Sequence, residues 1–158
     1  MMTYVGLALL VAILVLRWGF GSWRVQHLRR WWHKGQAAMN GANLVAAEAA
    51  FRECVRRAPI AAPAHRALGA VLARRGKLTE AEEHLRFAAD LEPRNPDGFI
   101  DLGFFLATCV PNRAEDAINA FASAVASAPN LRKLLSEEPR LGPLRRYERF
   151  RKLLESAP

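Results

Sequence analysis

Three prolines frame this chain. Pro59, Pro93 and Pro129 close the stretches ANLVAAEAAFRECVRRAP, GKLTEAEEHLRFAADLEP and NRAEDAINAFASAVASAP, and they stand 34 and then 36 residues apart. Twelve residues before each proline is an alanine, Ala47, Ala81 and Ala117. Eight before is a bulky apolar residue, Phe51, Leu85 and Phe121, and five before is a small one, Cys54, Ala88 and Ala124. Upstream of each stretch runs a second pattern at helical spacing: Trp31 and Gly35, then Leu68, Gly69 and Leu72, then Phe99, Leu102, Gly103 and Leu106. A period of this length is the mark of a helix pair that cannot bury its apolar face alone and must stack on copies of itself. Small residues let two backbones approach, larger ones fill the remaining space, and proline stops the second helix. The expected fold is therefore all-α.

Between two of these helices lies RRGKLTEAEEHL, whose Gly76-Lys77 invites comparison with a phosphate-binding loop. That loop needs G-x-x-x-x-G-K-[ST], so that backbone N–H groups wrap the phosphates and a hydroxyl after the lysine reaches the metal. Here six residues separate Gly69 from Gly76, and Leu78 follows Lys77. Gly76 is read instead as the end of one helix and the turn to the next.

The pattern resembles the tetratricopeptide repeat (TPR) family, a helix–turn–helix unit that stacks into a right-handed superhelix. The resemblance covers about residues 28 to 129 and is strongest in the second unit, where Leu68, Gly69, Leu72, Gly76, Ala81, Leu85, Ala88 and Pro93 all match. The first unit departs by placing Lys34 where an apolar residue is usual, and the third by a turn, VPNRAED, two residues longer. A longer surface turn should alter a loop and spare the stacking. After Pro129, EEPRLGPLRRYERFRKLLE is similar to a segment that closes bacterial arrays of this family. Leu144, Tyr147, Phe150 and Leu154 fall at helical spacing, with Arg145, Arg146, Arg149, Arg151 and Lys152 over much of the rest. Such a helix covers the exposed apolar side of the last unit.

The first sixteen residues, MMTYVGLALLVAILVL, carry no charge, and Trp18 to Phe20 extend the apolar stretch past Arg17. Twenty residues of helix rise about 30 Å, the thickness of a hydrocarbon core. A retained membrane span is the preferred reading, and a cleaved export signal or a buried core helix are the alternatives. Arg17, Arg24, Arg29, Arg30 and Lys34 all follow the span and no cation precedes it, so the positive-inside rule puts the repeats in the cytoplasm. Nineteen Arg against four Lys hints at a GC-rich bacterial genome, hence a bacterial inner membrane.

The organisation expected is thus a single-pass transmembrane anchor over 1–22, a basic juxtamembrane segment over 23–34 running into the first repeat, and a cap over 132–158. The three TPR-like repeats fall at about 28–61, 62–95 and 96–131.

Chemistry is hard to find. His27, His33, His65 and His84 show no metal-ligand spacing, and Glu80 with His84 on one helix reads as a surface contact. Cys54 and Cys109 form no C-x-x-C pair and read as free thiols. There is no nucleophile elbow. No enzyme, metal or cofactor is expected.

Binding remains. The resemblance implies that the first helix of each unit lines a concave groove for an extended peptide or a partner helix. By register the groove residues are Arg29, Trp32, Gln36, Met39 and Asn40; then Arg66, Ala70, Ala73 and Arg74; then Asp97, Ile100, Phe104, Ala107 and Thr108. Family members that grip a C-terminal carboxylate use Lys, Asn and Arg at positions held here by Trp32, Gln36, Ala67, Asp97 and Asp101; two acids would repel that carboxylate. A partner with acidic residues toward Arg66 and Arg74 and an apolar anchor toward Phe104 fits better. The expectation is a membrane-anchored adaptor for a protein partner. Its rival uses the basic ends: residues 1–34 hold five cations and no acid, and residues 129–158 hold eight cations and four acids, within a net charge of +8. That rival is a module for anionic lipid or nucleic acid.

Overall fold

Each proline-bounded stretch is the second member of an antiparallel helix pair. The computed structural model describes residues 28–155. The anchor expected over 1–22 lies outside the described residues, and among those described no helix is long and apolar enough to cross a membrane. The first pair is α1 (residues 28–40) with α2 (Leu44–Arg57), the second α3 (Ala62–Arg74) with α4 (Leu78–Leu91), and the third α5 (Pro96–Cys109) with α6 (Ala114–Ser127). After them come α7 (Leu131–Glu137), a 3-10 stretch (Pro139–Arg146) and α8 (Glu148–Glu155). The described residues form an all-helical stack of antiparallel pairs that resembles a TPR solenoid.

Local chemistry sets the helix ends. The Asn43 side chain accepts the Ala46 N–H at 3.0 Å, and Asn95 caps α5 through the Asp97 N–H at 3.1 Å, with Pro96 opening that helix. Gly76 takes a φ of 76°, which lets the Lys77 N–H return to the Leu72 carbonyl at 2.9 Å and close α3. One repeat earlier, Ala42 makes the same left-handed turn with a φ of 54°. In the third unit the longer turn forms a short 3-10 segment, Pro111–Arg113, and α5 and α6 still pack along their lengths.

One contact recurs inside every pair. A Cβ on Gly35 would fall 2.6 Å from the Phe51 ring, one on Gly69 2.7 Å from Leu85 Cγ, and one on Gly103 2.7 Å from the Phe121 ring. A glycine on the first helix thus receives the large side chain of the second, and Ala47, Ala81 and Ala117 are fully buried beside it. Between units, a Cβ on Gly98 would meet Ala89 Cα at 2.8 Å, so α4 and α5 also touch backbone to backbone.

Ion pairs join the units along their edge. Glu48 of α2 is buried and accepts from Arg52 at 3.0 Å, from Lys77 at 2.9 Å and from Arg75. Arg52 also reaches Glu80. Glu82 of α4 accepts from Arg113 at 2.7 Å and from Arg86 at 2.8 Å.

The cap differs in detail from a single amphipathic helix. Tyr147 is extended, so Leu144 and Phe150 do not share one helix; Leu144 is buried from the 3-10 stretch and Phe150 from α8. Pro143 lies inside the 3-10 stretch, and the extended Tyr147 that follows separates that stretch from α8. Phe150 meets Phe121 with ring centroids 6.0 Å apart, and Arg149 holds Glu115 at 2.6 Å and Asn119 at 2.9 Å. Arg145 donates to the Ser136 carbonyl at 2.7 Å and Arg151 to the Arg145 carbonyl at 3.1 Å. Much of the basic run therefore serves the cap itself.

Candidate partner-binding groove

Helices α1, α3 and α5 form one row, because α3 packs directly on α5 and the Arg74 guanidinium touches Met39 Sδ at 3.6 Å. The groove residues named from register lie along this row, and their surroundings divide it in two.

The first half is open. Trp32 is half-buried, its ring edge-on to Phe51 at 5.5 Å, which fixes the indole at the groove wall. Arg29, Gln36 and Asn40 are exposed, and Met39 is half-buried. On α3, Ala70 and Arg74 are exposed and Ala73 half-buried. The small Ala70 and Ala73 leave room above the backbone for another chain.

The second half is largely occupied by the protein's own side chains. Arg66 donates to Asp101 at 2.5 Å and to Asp97 at 2.6 Å, so the cation expected to attract an acidic partner is shared between two carboxylates. Burial lifts the Asp101 carboxyl above its ordinary range, Arg66 opposes that lift, and Asp97 adds to it. The Arg66 guanidinium keeps its charge more firmly than usual: burial works against it, and the two aspartates outweigh burial. Phe104 lies edge-on to Phe121 at 5.4 Å and is covered by the Arg140 guanidinium, 4.5 Å from the ring centre. Ile100 and Ala107 are half-buried, and the exposed Thr108 donates its hydroxyl to the Phe104 carbonyl at 2.7 Å.

Nothing in the repeat pattern points to Arg140. It comes from the cap, 36 positions beyond Phe104, and no periodicity links the two. In the sequence Asp101 reads only as a bar to carboxylate ligands; its pairing with Arg66 follows from stacking one unit on the next. The basic end of the groove is therefore carried by Arg29 and Arg74, while its apolar end is roofed.

The histidines make a contact that spacing did not suggest. His65 is buried and its Nε2–H donates to the Pro59 carbonyl at 3.0 Å, which leaves Nδ1 to accept from His84 Nδ1–H at 2.9 Å. His84 is held below its ordinary range by burial first, then by His65 and Arg52, against Glu80 and Glu83. Glu80 itself pairs with Arg52 and not with His84. Among the described residues no three His, Cys, Asp or Glu side chains converge as metal ligands. Cys54 is buried and Cys109 half-buried, both free, and burial raises the Cys54 thiol to about 11, so it stays protonated at neutral pH.

No protein-family model and no curated protein matches this sequence. Among solved structures, a mutant O-GlcNAc transferase of Thermobaculum terrenum is similar over 78% of this chain, with a TM-score of 0.61 and 21% identity. The match spans 27% of that longer chain. At this identity the likeness carries the helical-repeat fold alone.

Proposed function

We propose that this chain is a scaffold that holds a protein partner against α1 and α3, tethered to a bilayer by its first twenty-two residues. The repeats stand on the cytoplasmic side of a bacterial inner membrane in this reading. One observation supports it above the others: the inner row is open over α1 and the Ala70–Arg74 end of α3, and plugged where Arg66 meets the aspartates of α5 and Arg140 covers Phe104. Trp32 and Met39 offer a half-buried apolar floor, and Arg74, Gln36 and Asn40 offer polar contacts around it. An extended segment or a helix with an apolar anchor and an acidic flank suits that surface. The uncharged sequence over 1–16 and the cations that follow support the tether and its orientation. A tether raises the effective concentration of a module near its partner without any new contact.

The open half dictates the test. Full-length protein is crosslinked in its membrane, the captured proteins are identified by mass spectrometry, and binding is remeasured with the purified partner. Trp32→Ala and Arg74→Glu should each weaken that binding by about tenfold, the scale of a buried aromatic or a matched charge. Ile100→Ala, on the plugged half, should leave it unchanged. Equal capture by wild type and the Trp32→Ala, Arg74→Glu double variant would refute the groove. A mature N-terminus starting near Ser22 would refute the tether.

A further inference from the structure

The N-terminal end of the solenoid carries a charge imbalance that the groove does not use. No Asp or Glu occurs before Glu48. Helix α1 bears Arg29, Arg30, His33 and Lys34, and among the described residues none of the four is ion-paired. Arg30, Trp31 and Lys34 lie together on the side of α1 away from Gln36, and with Arg57, at the end of α2, they line one cleft. The Lys34 ammonium sits 4.8 Å over the Trp31 ring, which holds it at the cleft wall. Arg57 gives its Nε–H to Glu53 at 2.6 Å and keeps its terminal nitrogens for another acceptor. Glu53 is the acid beside the cleft, and Arg56 already bonds it through two nitrogens at 2.8 and 2.7 Å.

We infer that this cleft binds the phosphate of an anionic lipid headgroup. Two guanidinium groups can each offer paired N–H donors to phosphate oxygens, and the ammonium adds a third charge. Trp31 supplies the amphipathic ring that is enriched where bilayer meets water. Two facts favour lipid over nucleic acid. The uncharged stretch over 1–16 ends fourteen residues before Arg30, placing the cleft in sequence beside the segment suited to a bilayer. A nucleic-acid reader neutralises about 6–10 phosphates along a stripe, whereas the cations farther along, Arg66, Arg113 and Arg149, are spent on acids of this chain. The inference is independent of the partner groove and uses the proposed tether only to choose lipid as the source of phosphate.

Full-length protein in neutral detergent is titrated with phosphatidylglycerol, phosphatidylcholine, inorganic phosphate and a short single-stranded oligonucleotide, and bound species are counted by native mass spectrometry. Phosphatidylglycerol should be retained and phosphatidylcholine should not. The Arg30→Glu, Lys34→Glu double variant should lose about tenfold or more in phosphatidylglycerol affinity, since each cation near an anionic headgroup contributes about 1 kcal/mol. Arg94→Glu with Lys133→Glu changes net charge equally at exposed positions elsewhere and should bind as wild type does. Equal retention of phosphatidylglycerol by the cleft variant, with its circular dichroism melt unchanged, would overturn the site. Inorganic phosphate or the oligonucleotide binding as tightly as the lipid would overturn the lipid assignment. Should the cleft variant melt early, Arg57→Gln serves in its place, and an undiminished lipid affinity there would overturn the site equally.

Discussion

Ala42 and Gly76 stand one repeat apart and make the same turn, yet only glycine adopts a φ of 54° to 76° without a Cβ penalty. That penalty is roughly 1–2 kcal/mol for an L-residue in the left-handed region. Ala42→Gly should therefore raise stability by about 1 kcal/mol. Gly69 is the opposite case. It lies mid-helix, where alanine is intrinsically favoured by about 1 kcal/mol, but its Cβ would stand 2.7 Å from Leu85 Cγ and 3.2 Å from the Ala81 carbonyl oxygen. Overpacking of this kind costs about 1–3 kcal/mol and outweighs the propensity gain. Urea unfolding should show the two exchanges between the same amino acids moving the midpoint in opposite directions, up for Ala42→Gly and down for Gly69→Ala.

At the scale of helices, Glu48 joins α2 to the turn between α3 and α4. Burial alone would raise its carboxyl, but hydrogen bonds from Lys77, Arg52 and Arg75 prevail and hold it at about 2, against an ordinary 4.5. A carboxyl depressed in the folded state contributes stability that is complete above its unfolded value and disappears as pH falls through the folded one. Glu48→Gln should lower unfolding free energy at pH 7 by about 1.5–3 kcal/mol, the scale of hydrogen bonds to a charged group. The gap from wild type should narrow as pH drops from 4.5 toward 2, which urea titrations across that window would reveal. The helix pairs themselves were legible because steric needs repeat: a glycine must face Phe51, Leu85 or Phe121 wherever two backbones close up, so the same residue types return at the same interval. Ion pairs have no such period. Arg66 with Asp97 and Asp101, or Arg140 over Phe104, join residues whose spacing reflects stacking and chain return, and a single sequence holds no mark of either. The cap was legible as an apolar face and misread as one helix, because a spacing of three and four residues fits a 3-10 stretch followed by a turn of α-helix almost as well.

For the whole molecule, a row of units that touch only their neighbours has ends weaker than its middle. The C-terminal end is closed by Phe150 against Phe121 and by Arg149 on Glu115 and Asn119, and the same cap sends Arg140 over Phe104. Losing Phe150 would cost about 3–5 kcal/mol for a fully buried ring, and that loss should fall on the last unit first, since α3 and α4 do not depend on it for their own contact. Native-state hydrogen exchange on Phe150→Ala should show faster exchange in α5, α6 and the cap, with α3 and α4 near wild-type protection. Release of Arg140 should follow, exposing Phe104 and lengthening the open groove by one unit. A variant whose exchange rises evenly over all three pairs would instead mark the solenoid as a single cooperative block, in which the roof over Phe104 cannot be lifted without unfolding the surface around Trp32 and Arg74.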